Sequence, residues 1–170
     1  MAGPTYNASS TYVVTALHSL ASSQDWLIGW FSASIDNTTN AYLDYMISGT
    51  FTTHASNRQA GYINIYAVLA INDTPTWPAS DTGTPGTQGA GSFVDTEERD
   101  ANTILLDSIY VDGSASAIVT MQPISLVEKC GLIMPPTHFG LYISQNATTT
   151  TTAGLASAGS AVYSTAIVSP

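Results

Sequence analysis

Positive charge is nearly absent from this chain. Three cations, Arg58, Arg99 and Lys129, stand against twelve carboxylates in 170 residues, for a net charge of −9. Neutralising phosphates takes several Lys or Arg side chains, so nucleic acid is excluded as a partner. An anionic membrane surface would repel the chain for the same reason. Cysteine is as scarce, and Cys130 alone cannot form an internal bridge. It lies in the apolar run "LVEKCGLIM", which suits a buried free thiol. Its neighbour Lys129 would point to the other face of a strand and could not activate it. No apolar run approaches the ~18 residues of a membrane-spanning helix. The opening "MAGPTYNASS" has neither a basic start nor an apolar core, so export by a signal peptide is not expected.

Length and polar composition set the rest of the frame. A chain of 170 residues suits one domain and can bury a core without disulfide or metal. Charged residues make up only 9%, so the polar surface is expected to come from Ser and Thr, 43 residues in all. In such a chain the Asn-x-Ser/Thr triplets at Asn7, Asn37, Asn72 and Asn146 arise largely from composition and carry no weight.

Strand patterns dominate. In "YLDYMISGTFTT" Leu43, Tyr45, Ile47 and Phe51 fall on one face, the period of two of a half-buried strand. "YINIYAVLAI" places Ile63, Ile65, Ala67, Leu69 and Ile71 on one face, and its other face is also partly apolar. It is expected to be central or covered on both sides. "TYVVTAL" (11–17), "WLIGWF" (26–31), "SAIVTMQ" (116–122), "THFGLYIS" (137–144) and "AVYSTAIV" (161–168) are rich in β-branched and aromatic residues. "NTILLDSIYV" (102–111) fits a helical turn or a strand, with β-branched residues favouring the strand. "SLVEKCGLIM" (125–134), stopped by Pro135-Pro136, allows a short helix. The sum is an all-β fold, a jelly-roll-like β-sandwich of about eight antiparallel strands with long loops.

Two segments interrupt the pattern. Residues 73–100 hold three prolines and four glycines, which predicts little regular structure. Trp77 anchors this loop either to its own domain or to a neighbouring subunit. "NATTTTTAGLASAGS" (146–160) reads as a solvated hairpin arm or mobile loop.

Signatures of chemistry are missing. There is no G-x-S-x-G, and no P-loop is possible around the single lysine. "GTPGTQGAG" matches no dinucleotide fingerprint and reads as flexible loop. His18, His54 and His138 lack ligand spacing. "DTEERD" around Arg99 reads first as a solvated charged face, with a calcium site as the sharper alternative. No acids pair as in glycosidases. Three Trp and nine Tyr supply sugar-stacking faces. However, "WLIGWF" places Trp26, Ile28 and Trp30 along one strand face, which is more simply core or subunit contact. No catalytic residue, metal or cofactor is expected.

The run "YLDYMISGTFTTHASNRQAGYINIYAVLAINDTPTWP" resembles a pattern of small virion proteins of tailed bacteriophages, the jelly-roll decoration or cement proteins. The shared features are "DW…GW", a strand ending "SGTFTT", an "AG" hairpin into "YINIYAV", and "WP" opening a long loop. A last strand carrying Tyr163 follows a Thr/Gly-rich stretch. The resemblance spans residues 25–170, a single β-sandwich domain, and departs from the pattern at "KCGLIMPP". Residues 1–24 align with nothing and are expected to form an extended N-terminal arm or first strand.

The resemblance implies a protein assembled in the host cytoplasm that sits on the capsid surface. It would bind the major capsid protein and itself as a homotrimer, without nucleic acid, membrane, metal or cofactor. Trp26, Trp30, Arg58, Trp77 and Tyr163 are the candidate contact residues, with Arg58 at an exposed hairpin tip. A receptor- or glycan-binding head fibre or tail tip, or another tail or connector component, is the alternative.

Overall fold

The computed structural model describes residues 5–6, 10–11, 17, 20–39, 42–149, 154–156 and 159–168. Two antiparallel sheets pack face to face. Sheet A contains β1 (Thr5–Tyr6) and β2 (Ser10–Thr11) along β11 (Ala161–Val168), then β5 (Asp44–Thr52) and β9 (Ile118–Ser125). Sheet B runs from β7 (Gly89–Ser92) through β3 (Ile28–Phe31), β10 (His138–Gln145) and β6 (Ala60–Leu69) to β8 (Ile104–Asp112). The short β4 (Ile35–Asp36) continues β3 along β10. Helices α1 (Thr96–Asn102) and α2 (Leu126–Cys130) complete the chain.

The pairing is nested. The N-terminal strands pair with β11, β3 and β4 with β10, β5 with β9, and β6 with β8. A long hairpin rolled up so that successive strand pairs fall in alternate sheets gives this order, which is that of a jelly roll. The predicted all-β sandwich is the observed one.

Period-two sequence explains the strands. Along β5 burial alternates, with Tyr45, Ile47, Gly49 and Phe51 inward. β10 is buried at every position, as a central strand covered on both faces must be. β6 is central too, and only its ends are exposed or half-buried apart from Tyr62. Trp30, Ile47, Phe51, Ile63, Ile65, Met121 and Leu141 meet between the sheets. "NTILLDSIYV" forms β8, and "SLVEKCGLIM" forms the end of β9 and α2, which Gly131 ends with φ 64°. Leu17 and Leu20 lie in the core, so residues 1–24 join the sandwich at their described positions. Positions 12–16 of the expected "TYVVTAL" strand lie outside the described residues.

Several expectations fail for local reasons. Trp26 does not share a strand face with Ile28 and Trp30: it precedes β3 with φ 56°, and Ile28 at the strand mouth is 44% exposed. Leu43 and Ile71 flank their strands and are exposed rather than inward. "GTPGTQGAG" is not loop throughout, because its last glycines form β7 beside β3. A Cβ on Gly91 would stand 2.3 Å from the Phe31 ring, so glycine lets the backbone lie under that ring. Residues 146–160 are no solvated arm where they are described: Ala147, Thr148 and Leu155 are buried, and Gln145 bonds the backbone of Leu20 and Ala147.

Burial also couples the fold to alkaline pH. Desolvation, then the Tyr42 ring and Asp36, push the Tyr45 hydroxyl up to about 12 from 10.0. Desolvation and Asp44 push the Cys130 thiol up to about 11 from 9.0. Both groups hold their protons more tightly folded than unfolded. Their stabilisation is therefore complete below about pH 9 and disappears as pH rises toward 12. Urea unfolding midpoints should hold steady from pH 7 to 9 and fall above it. Tyr45→Phe and Cys130→Ser should each flatten that fall; an unchanged slope in both variants would contradict this reading.

Candidate contact surfaces

The outer face of sheet B is apolar where water would be expected. Phe31 on β3, Tyr66 and Val68 on β6 and Tyr142 on β10 point away from the main core. Residues 70–103, the connection from β6 to β8, fold back over them. Phe93 meets the Tyr142 ring edge-on at 5.0 Å, and Phe31 lies 4.9 Å from the same ring. Tyr142 needs room on its other side: a Cβ on Gly29 would stand 2.2 Å from its ring. Its hydroxyl donates to the Trp26 carbonyl at 3.2 Å, and burial pushes its ionisation far up.

The cover is held by the acidic run. Asp95 caps α1 by accepting from Glu98 N at 2.8 Å, and the Glu98 carboxylate accepts from Val94 N at 2.7 Å. The pair is a variant of the capping box, with Glu98 reaching one residue past the cap to Val94. Asp95, Glu97 and Asp100 are exposed, as a solvated charged face has them, while Arg99 is not. Arg99 is 9% exposed. Its guanidinium donates to the Asp25 carbonyl, binds the Asp100 carboxylate at 2.7 Å and lies 5.7 Å from the centre of the Tyr66 ring. One side chain thus ties the insertion to the loop before β3 and to the sheet beneath.

Other ionisable groups hold turns in the same way. His54 Nδ1 accepts from Ser56 N and Asn57 N at 3.0 and 2.9 Å. Asp44 accepts from the Tyr45 and Val127 amides and from the Ser125 hydroxyl, joining β5 to the β9–α2 corner. Two bonds from Thr38, with His138 3.6 Å away, hold the Asp36 carboxyl below its usual range. Bonds from Ser114 do the same for Asp112. Among the described residues no three His, Cys, Asp or Glu side chains gather as metal ligands.

The predicted contact residues are not brought together. Trp30 is fully buried in the core. Trp26 lies half-buried before β3. Arg58 is half-buried and folds back on its own turn, donating to the Ala55 and Ser56 carbonyls. Trp77 packs against the sheet B aromatic cluster and over Gly86, whose Cβ would stand 2.2 Å from its ring, so it pins the loop to its own domain. Tyr163 points outward from β11.

Three surfaces escaped the sequence reading. Trp77 walls an open groove of about 490 Å³ with Leu69, Ile71, Pro78, Asn102 and Ile104, and no charged side chain lines it. Tyr62 and Tyr110 form an exposed cross-strand pair, rings 5.5 Å apart. Ile133 and Met134 stand exposed in the α2–β10 loop. Only Ile133-Met134 carried a sequence signal, the end of a run of three large apolar residues between a glycine and two prolines.

No family model matches the chain, and no curated protein matches it. Among solved structures it is similar to the VP2 subviral particle protein of infectious bursal disease virus, at 16% identity. The likeness covers 95% of this chain and 41% of that one, with a TM-score of 0.26. At that score the likeness decides neither fold nor function.

Removing the Arg99 tie tests the cover. Arg99→Ala should cost about 2–3 kcal/mol in urea unfolding. It should also open residues 73–103 to limited proteolysis before the sandwich is cut. Wild-type stability with an uncut insertion would show that the aromatic contacts alone hold it.

Proposed function

We propose that this chain is a virion structural protein that decorates the outside of a phage-type head and ties neighbouring major-capsid subunits together. The observation that carries the reading is where its ionisable groups are used. Arg99, Asp95, Glu98, His54, Asp44 and Asp36 each hold a cap, a turn or the insertion. Beside the exposed carboxylates, what faces outward is broad sheet, an uncharged groove and apolar tips, the features of a part that fits against other parts. The jelly-roll order and the phage-like sequence run support the same reading, but a fold of this kind hosts many functions. The role needs no catalytic residue, metal or cofactor. The net charge of −9 argues against nucleic acid as partner.

Decoration draws its strength from repetition. A head presents the same boundary many times, and copies grouped around a symmetry axis, as in the homotrimer that the resemblance implies, engage it together. Modest contacts then add through effective concentration.

Glycan or receptor binding at a fibre or tail tip is favoured by one feature, the exposed Tyr62–Tyr110 pair with Asp112 two residues along β8. Against it, Trp30 is buried and Trp77 packs within its own chain, leaving no exposed tryptophan platform.

Cryo-electron microscopy of particles incubated with purified protein separates the two. The decoration reading predicts hundreds of copies at regular positions over the shell, and heads that withstand a higher temperature than bare ones. A few copies at one vertex or on the tail, or selective capture on a glycan array without shell binding, would overturn it.

A further inference from the structure

The outer face of sheet A is chemically unlike the rest of the molecule. Across β5, β9 and β11 the single charged residue is Asp44; the other eleven of the twelve carboxylates lie outside these strands. Asp44 sits at a corner and is turned onto Ser125 and the Tyr45 and Val127 amides. The outward positions are Met46, Ser48, Thr50 and Thr52 on β5 and Tyr163 and Thr165 on β11, all half-buried. β9 holds no ionisable residue at all. By contrast, the insertion over sheet B carries Asp81, Asp95, Glu97, Glu98 and Asp100.

We infer that copies of this chain associate with one another through the outer face of sheet A. Charge decides the occupant. A cationic partner would be drawn to the acidic side of the molecule, over sheet B. A second copy carries the same −9 and must approach where carboxylates do not face each other. Screening at physiological salt reaches about 8 Å, so the groups lining the contact matter more than the total charge. Sheet A offers the uncharged lining that two like-charged molecules need.

Shape agrees with charge. Met46, Ser48, Pro123 and Thr165 enclose an open hollow of about 260 Å³ on this face. Tyr163 projects from the same strand as Thr165, and its register partner is Ser48, so it stands beside the hollow. A knob and a hole within one patch are the self-complementarity that contact between copies requires. The face has limited reach: the three strands of eight or nine residues, β11, β5 and β9, span roughly 14 by 28 Å. That falls short of the ~800 Å² per partner of a standard stable interface, so association is expected to be weak and concentration-dependent.

The inference shares with the proposed function only the premise that copies assemble. Sedimentation velocity from 1 to 300 µM tests it. The weight-average mass should rise above the 17.8 kDa of one chain, and more steeply in 0.5 M than in 0.05 M NaCl, because salt screens the like charges. Thr165→Glu, with unchanged circular dichroism, should remain monomeric, whereas Tyr110→Glu on sheet B should associate as the wild type does. Tyr163→Ala, expected to weaken association at least tenfold, serves if Thr165→Glu does not fold. A monomer at every concentration, association untouched by the sheet A variants, or disruption by Tyr110→Glu would each overturn the inference. A monomer that still decorates heads sinks this inference alone; self-association by a protein that never binds heads sinks the proposed function alone.

Discussion

Closing residues 70–103 over sheet B is the constraint on which the rest of the structure depends. β6 and β10 place Tyr66, Val68 and Tyr142 on a face that water would otherwise reach. Burying aromatic surface there stabilises the fold, because each ring removes on the order of 200 Å² from solvent. A long loop gains little from its own sequence, so something must hold it down. Phe93 and Trp77 supply apolar contact, and Arg99 supplies direction. Its bonds to the Asp25 carbonyl and to Asp100, above the Tyr66 ring, admit few alternative placements of α1.

The same economy runs through the other ends of the sandwich. The chain has only fifteen Lys, Arg, Asp and Glu residues, and the acids that face solvent gather largely on the insertion. Most of those followed here terminate an element or brace a turn: Asp95 and Glu98 at α1, Asp44 at α2, His54 in the β5–β6 hairpin. Away from the acidic insertion, much of what is left outside is Ser, Thr and scattered apolar side chains. Such a surface fits against a neighbour with little desolvation cost, since burying a hydroxyl that finds a partner is far cheaper than burying a charge. The functional reading follows from that distribution rather than from any single pocket.

Much of the fold was legible because alternation is a direct consequence of strand geometry. β5 and β6 stand where period-two patterns put them, β10 and β11 where runs of β-branched and aromatic residues did, and the two partly apolar faces of β6 announced a central strand. β7 was not legible: "GAGS" has little strand propensity, and the closeness of Gly91 to the Phe31 ring is a contact between distant parts of the chain. Nor was Trp26, whose left-handed backbone takes it off the β3 face. The candidate surfaces were the least legible. Which side of β11 meets solvent, and that Met46 and Pro123 from different strands leave a hollow between them, are facts of sheet packing. No local run of residues encodes them. Trp77 shows the intermediate case, since its sequence marked it as an anchor but left open what it anchors to.

Hydrogen exchange of the free protein tests the closure of the insertion most directly. Phe93 N donates to the Leu27 carbonyl and Arg99 N to the Asp95 carbonyl. If the cover is integral, these amides should exchange with protection of the same order as those of β6 and β10, and open only with the sandwich. Exchange within seconds at Phe93 and Arg99, while β6 and β10 stay protected, would contradict it. Sheet B would then present its aromatic face to solvent, and Arg99 would not be the tie that holds the insertion down.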